Sequence, residues 1–134
     1  MSRSHILDIQ STRDIEFIDI TEQVRGFIRA ARCPEGMLLV FTPHTTAGVT
    51  INENADPAVR HDIAEFFKRR LPKQDYFQHS EGNSPAHILS SLVSPSETLI
   101  IQDGEPLLGS WQGIFFCEFD GPRRRRVHLK VISG

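Results

Sequence analysis

The chain is 134 residues long, 39% hydrophobic and 24% charged, with a formal net charge of −2. That length fits one domain, and the composition excludes a disordered chain, whose signature is low hydrophobicity with high net charge. No apolar run approaches the ~20 residues that span a bilayer, and the near-neutral balance gives no long-range pull toward nucleic acid or a membrane surface.

The N-terminus, MSRSHILDIQ, shows no basic region leading into an apolar one, so no secretory signal is expected. His5–Gln10 reads as a first strand and Ile15–Ile20 (IEFIDI) as a second. Thr21 is placed to cap a helix reaching about Arg32, with Val24, Phe27, Ile28 and Ala31 on one face at helical spacing. Gly36–Thr42 (GMLLVFT) is apolar on both faces, as a central strand is.

The next stretch, HTTAGVTINENADP, is unusually polar for a chain leaving its core. Taken as extended chain, it puts Thr45, Ala47, Val49 and Ile51 on one face and His44, Thr46, Gly48, Thr50 and Asn52 on the other. The first face suits a core. The second carries an imidazole, hydroxyls and an amide where a solvated strand usually carries Lys and Glu, so a pocket or an interface is expected there. Asp56-Pro57 then combines an N-cap with proline at the first helical position, opening a helix to about Arg70 with Val59, Ile63, Phe66 and Phe67 inward.

Lys73–Asn83 reads as a loop, and Ser84-Pro85 opens a short helix, Pro85–Val93. Glu97–Gln102 is a strand, Asp103-Gly104 a hairpin turn, and Trp111–Phe119 and Arg124–Ser133 are two long strands. Trp111 reads as a packing anchor, and Gln112 and Glu118 as polar groups that need partners. The order lacks regular β-α-β alternation. An α+β domain with a mainly antiparallel sheet and two or three helices follows.

The four arginines divide by parity. Val127, Leu129 and Val131 define the apolar face of the last strand; Arg123 and Arg125 extend it, whereas Arg124 and Arg126 share the opposite face with His128 and Lys130. Inward arginines need anions, either an internal carboxylate such as Glu118 or a phosphate-bearing ligand. His44, His79 and His87 each lie where the chain changes element, but their spacing matches no metal motif. Cys33 and Cys117 lack C-x-x-C spacing, and two free thiols without a leader point to the cytosol. No P-loop, G-x-S-x-G or G-x-G-x-x-G is present.

Three blocks, HTTAGVTINENADPAVRHD, HSEGNSPAH and LGSWQGIFFCEFDGPRRRRV, together resemble the YjbQ-like family, also called secondary thiamine-phosphate synthases. The resemblance covers the chain from about residue 5 to its end. It implies a compact α+β fold with a β-sandwich-like core, assembled as a homotrimer, with inter-subunit clefts where the histidine-bearing segments gather around a metal or anion. The activity it implies is a weak joining of a pyrimidinylmethyl diphosphate to a thiazole phosphate. By position, the family's blocks fall on His44; on Asn52, Glu53, Asn54 and Asp56; on His79, Glu81, Gly82 and His87; and on Gly109, Ser110, Trp111 and Gln112. Ser110 stands where the family commonly has threonine. On this reading His44, His79 and His87 are candidate ligands of a divalent metal, zinc or magnesium. His87, Glu53 and Glu118 are candidate catalytic groups. Thr45, Thr46, Asn52, Asn54, Gln112, Arg123 and Arg125 would bind substrate or its phosphates. The rival reading is a non-catalytic trimeric module for a metal or a small phosphorylated ligand. A third, RNA binding, rests on the arginine run alone.

Overall fold

The computed structural model describes residues 3–134. Strands β1 (Ser4–Gln10) and β2 (Glu16–Asp19) precede helix α1 (Thr21–Ala31), followed by β3 (Glu35–Phe41) and β4 (Ala47–Glu53). Helices α2 (Pro57–Arg70) and α3 (Ser84–Val93) come next, then β5 (Ser96–Gln102), the two-residue β6 (Glu105–Pro106), β7 (Gln112–Glu118) and β8 (Arg124–Ser133). Strands β1-β8-β3-β5-β6 form one sheet and β2-β7-β4 another, with antiparallel pairing in both. The fold is α+β, as expected.

Period-2 alternation builds the core. Leu38 and Val40 of β3, Val127, Leu129 and Val131 of β8, and Leu99 and Ile101 of β5 point inward from the larger sheet. They meet Ala47 and Val49 of β4 and Ile114 and Phe116 of β7, joined by the buried stripe of α1, Val24, Phe27, Ile28 and Ala31. The other face of β7, with Phe115, Cys117 and Phe119, forms a second cluster with Ala86 and Leu89 of α3. The molecule is thus layered sheet, sheet, helices.

Local chemistry sets the helix starts. Asp56 Oδ1 accepts the Ala58 N–H at 2.9 Å with Pro57 at the first turn, as the sequence suggests. Thr21 does not cap α1. Asp19 Oδ1 accepts the Thr21 N–H at 2.9 Å, and Thr21 Oγ1 accepts the Ile114 N–H at 2.9 Å, tying the helix to β7. Asn83 precedes α3 without a side-chain cap: its Nδ2 donates to Asp120 Oδ2 at 2.8 Å, and its buried Oδ1 accepts no hydrogen bond among the described residues. Asp103 and Gly104 both have positive φ, 53° and 75°, the backbone that a two-residue hairpin turn requires.

Further expectations change. The polar stretch becomes a strand only at Ala47, so His44, Thr45 and Thr46 lie in the preceding turn. Trp111 falls just outside β7 and is 65% exposed, so it anchors no core. Phe66 is 59% exposed, and no residue of α2 is fully buried. No helix among the described residues is long and apolar enough to cross a membrane.

The outward face of the larger sheet is unusual. Strand pairing aligns Ile6 with His128, Phe41 with His128 from the other side, Met37 with Ile132 and Met37 with Ile100. Ile6, Met37, Leu39, Phe41, Ile100 and Ile132 are all exposed on that face.

Candidate functional site

Where β7 ends and β8 begins, two opposite charges are buried together. Glu118 is fully buried and Arg125 is 3% exposed. Arg125 Nε donates to Glu118 Oε1 at 2.9 Å, and Arg125 Nη2 donates to Glu118 Oε2. The Ser11 hydroxyl donates to Oε1 at 2.6 Å and the Asp120 N–H to Oε2 at 2.9 Å. Burial by itself raises the Glu118 pKa, but the hydrogen bonds from Arg125, Ser11 and Asp120 outweigh it and hold the group below its ordinary 4.5. The pair is therefore ionised, and it reaches outward. Arg125 Nη2 also donates to Thr46 Oγ1 at 2.8 Å and to the Thr46 carbonyl at 3.1 Å, fixing the turn that carries His44.

His44 is held from both sides. Its Nε2 accepts the Arg126 N–H at 3.0 Å, which places the proton of the neutral ring on Nδ1. The Thr42 hydroxyl donates to the Arg126 carbonyl at 3.0 Å, so the turn is stitched to β8 at one residue. Burial, then the fields of Arg125 and Arg126, lower the His44 pKa from 6.5. The ring stays neutral at neutral pH. Protonating it breaks the bond from Arg126, so its contribution to stability is complete above pH 6.5 and is lost as pH falls through the lowered folded value.

Grooves open on both sides of this ring. One, about 640 Å³, is lined by Asp8, Gln10, His44, Arg124 and Arg126. Pairing sets Arg124 opposite Gln10 and Arg126 opposite Asp8 on the outward face. Neither the Arg124 nor the Arg126 guanidinium has an ion-pair partner among the described residues. The other groove, about 490 Å³, is lined by His44, Thr45, His87, Ser90 and Ser91. Ser90 Oγ donates to the Ala47 carbonyl at 2.7 Å and so seats α3, with His87, beside the start of β4. The His79 ring stands edge-on to His87, with centroids 5.2 Å apart. Among the described residues no group of three or more His, Cys, Asp or Glu side chains converges as a metal site would need.

The remaining candidates gather elsewhere. Asn52 Oδ1 accepts the Glu53 N–H at 2.7 Å, and Glu53 Oε2 accepts the Asp56 N–H at 3.3 Å. The Asn54 N–H donates to the Trp111 carbonyl at 2.9 Å, and Gln112 Oε1 accepts the Gly109 N–H at 2.8 Å. These side chains shape the turn from β4 into α2 and the loop facing it. They gather at the far end of the seven-residue β4 from the His44 turn, roughly 20 Å away at the usual strand rise. Arg123 does not extend the inward face of β8 as parity suggests: the strand starts at Arg124, and Arg123 lies exposed before it, with Nη2 3.1 Å from Asp120 Oδ2.

One end of β4 thus collects His44, Thr45, Thr46, His79, His87, Glu118 and Arg125; the other collects Asn52, Glu53, Asn54 and Gln112. The two arginines best placed to meet a ligand, Arg124 and Arg126, are the pair that parity assigns to the outward face. Their signal in the sequence was that parity, but a charge run on an outward face ordinarily signifies only solvation.

The family model described as UPF0047 protein YjbQ-like matches residues 5–134. UPF0047 protein MJ1081 of Methanocaldococcus jannaschii is 54% identical over 125 residues, covering 93% of this chain and 91% of that protein. UPF0047 protein YugU of Bacillus subtilis is 46% identical over 128 residues, covering 95% of this chain and 97% of that one. Among solved structures, a YjbQ/UPF0047 protein of Clostridium acetobutylicum superposes with a TM-score of 0.93 at 48% identity, covering 96% of this chain and 99% of that one. A hypothetical protein from Aeropyrum pernix superposes with a TM-score of 0.92 at 30% identity, covering 99% of this chain and 100% of that one.

Proposed function

The chain belongs to the UPF0047 YjbQ-like family, and from that premise we propose that its His44 groove binds a small phosphorylated ligand. One observation carries the reading: two guanidinium groups without ion-pair partners, Arg124 and Arg126, flank a neutral imidazole in an open groove. Guanidinium forks suit phosphate oxygens, and the Nδ1–H of His44 adds a donor. Arg125 and Glu118 support the site by holding the turn rather than by meeting the ligand.

The activity proposed for this groove is the transfer reaction that the sequence resemblance implies. The C–O bond of a pyrimidinylmethyl diphosphate breaks with its electron pair leaving on pyrophosphate, and a thiazole phosphate nitrogen forms the new C–N bond. Arg124 and Arg126 would take up the charge released on pyrophosphate. His79 and His87 would hold a divalent cation, zinc by the softness of an imidazole donor set. Two ligands fall short of the three or four protein ligands zinc takes, so the proposal draws the rest from a neighbouring subunit. A homotrimer is part of the same proposal, supported by the apolar outward face beside the groove. So is a cytosolic location, supported by two buried free thiols.

The test compares wild type, His87→Ala and the double variant Arg124→Gln/Arg126→Gln. Pyrophosphate binding, turnover of the two substrates and bound metal are measured on each preparation. Binding should weaken by about tenfold per arginine removed, and His87→Ala should lose metal and turnover. Unchanged binding in the double variant would remove the groove from the function. Tight binding by wild type without turnover would establish the non-catalytic module instead.

A further inference from the structure

We propose a second ligand site, between α2 and the three-stranded sheet, that takes a single aromatic ring bearing a carboxylate. It shares no lining residue with either groove beside His44.

The helix suggests the site before the cavity does. α2 runs for 14 residues without one fully buried side chain, although Ile63 and Phe67 face the sheet. A helix that stands off its sheet leaves space, and here the space is about 140 Å³. Protein interiors normally close such voids, because the atoms lining them lose contacts. A dry apolar cavity of about 150 Å³ is known to accept one benzene ring, so the volume fits one ring and excludes two.

Chemistry narrows the occupant further. Phe115 forms a floor only 1% exposed. Phe17 and Phe67 stand beside the cavity with centroids 6.4 Å apart and rings tilted by 53°. Such walls favour an aromatic guest through offset and edge contacts. Arg60 lies with its guanidinium carbon 5.4 Å from the Phe115 ring centre and has no ion-pair partner among the described residues. Glu53 also lines the cavity, but its Oε2 accepts the Asp56 N–H at the start of α2. That bond leaves Glu53 charged, so the lining carries one carboxylate and one guanidinium, and of the two only Arg60 has no hydrogen-bond or ion-pair partner among the described residues. A planar guanidinium held over a ring face keeps its N–H edges free, and a carboxylate can meet one such edge with two parallel hydrogen bonds. Thr50, also lining the cavity, has a hydroxyl with no partner among the described residues and can donate to the same carboxylate.

The experiment titrates the full-length protein with benzoate and with toluene, following backbone amide shifts by NMR. Benzoate should produce saturable shifts at Thr50, Phe115 and the Arg60 turn of α2. Arg60→Gln should weaken benzoate by about tenfold and leave toluene unchanged, which also shows that the variant retains its cavity. Filling the space with Thr50→Leu should abolish both. The Arg124→Gln/Arg126→Gln variant should bind benzoate as wild type does, so failure of the phosphate-groove reading would leave this one standing. No shifts at millimolar benzoate, shifts centred on Arg124 and Arg126, or equal affinity in wild type and Arg60→Gln would each overturn the proposal.

Discussion

Removing the Glu118 carboxylate leaves Arg125 as a buried cation with no counter-charge. Glu118→Ala should therefore destabilise the fold by about 3–5 kcal/mol, whereas replacing both residues with methionine should cost far less. Urea unfolding of the two variants measures the difference, and equal losses would mean the pair contributes only volume. The sequence makes this pair legible, because Val127, Leu129 and Val131 set the parity that turns Arg125 inward. It does not reveal that Arg125 also holds the Thr46 carbonyl and hydroxyl, a contact between positions 79 residues apart. Trp111 misleads for a related reason. Its apolar character and parity suit β7, but the strand begins at Gln112 and the residue faces solvent.

At the scale of elements, α3 is positioned against β4 by close approach. A Cβ on Gly48 would lie 2.9 Å from the Ser94 carbonyl oxygen and 3.0 Å from Val93 Cγ1. The backbone oxygen cannot swing aside, so Gly48→Val should push the end of α3 away from the strand. A loss of about 1–3 kcal/mol is expected, together with weaker seating of His87 beside His44. Thermal unfolding and the His79–His87 ring contacts in NMR report the two effects, and an unperturbed variant would show that α3 is not fixed there. Helix and strand identities were readable from periodicity and from Asp56-Pro57. The standoff of α2 was not. Val59, Ile63 and Phe67 have helical spacing whether or not the surface they face is filled, since periodicity records direction and not distance.

The whole molecule is two sheets and a helical layer, with a sheet face left apolar on the outside. Monomeric soluble proteins rarely expose a contiguous apolar patch larger than a few hundred Å². Ile6, Met37, Leu39, Phe41, Ile100 and Ile132 make up that exposed face, on which the proposed homotrimer rests. On the proposed trimer, Leu39→Asp should give monomer in sedimentation velocity while leaving the fold intact, because Leu39 makes no part of the interior clusters. A wild-type monomer at micromolar concentration would exclude the assembly. This face was hard to foresee, because GMLLVFT reads equally well as a strand buried on both sides within one chain.

The unbroken run Arg123-Arg124-Arg125-Arg126 has one further consequence. A one-residue slip of β8 would turn Val127, Leu129 and Val131 out of the core, and that error is excluded by hydrophobicity alone. A two-residue slip is subtler, since it preserves every apolar face. Slipped in one direction, it would set Val127 against Glu118 and leave a carboxylate desolvated with no cation. The Glu118–Arg125 bond therefore works as a check digit for the strand: alternation specifies odd or even, and the buried ion pair rejects the slip that would put Val127 in Arg125's place.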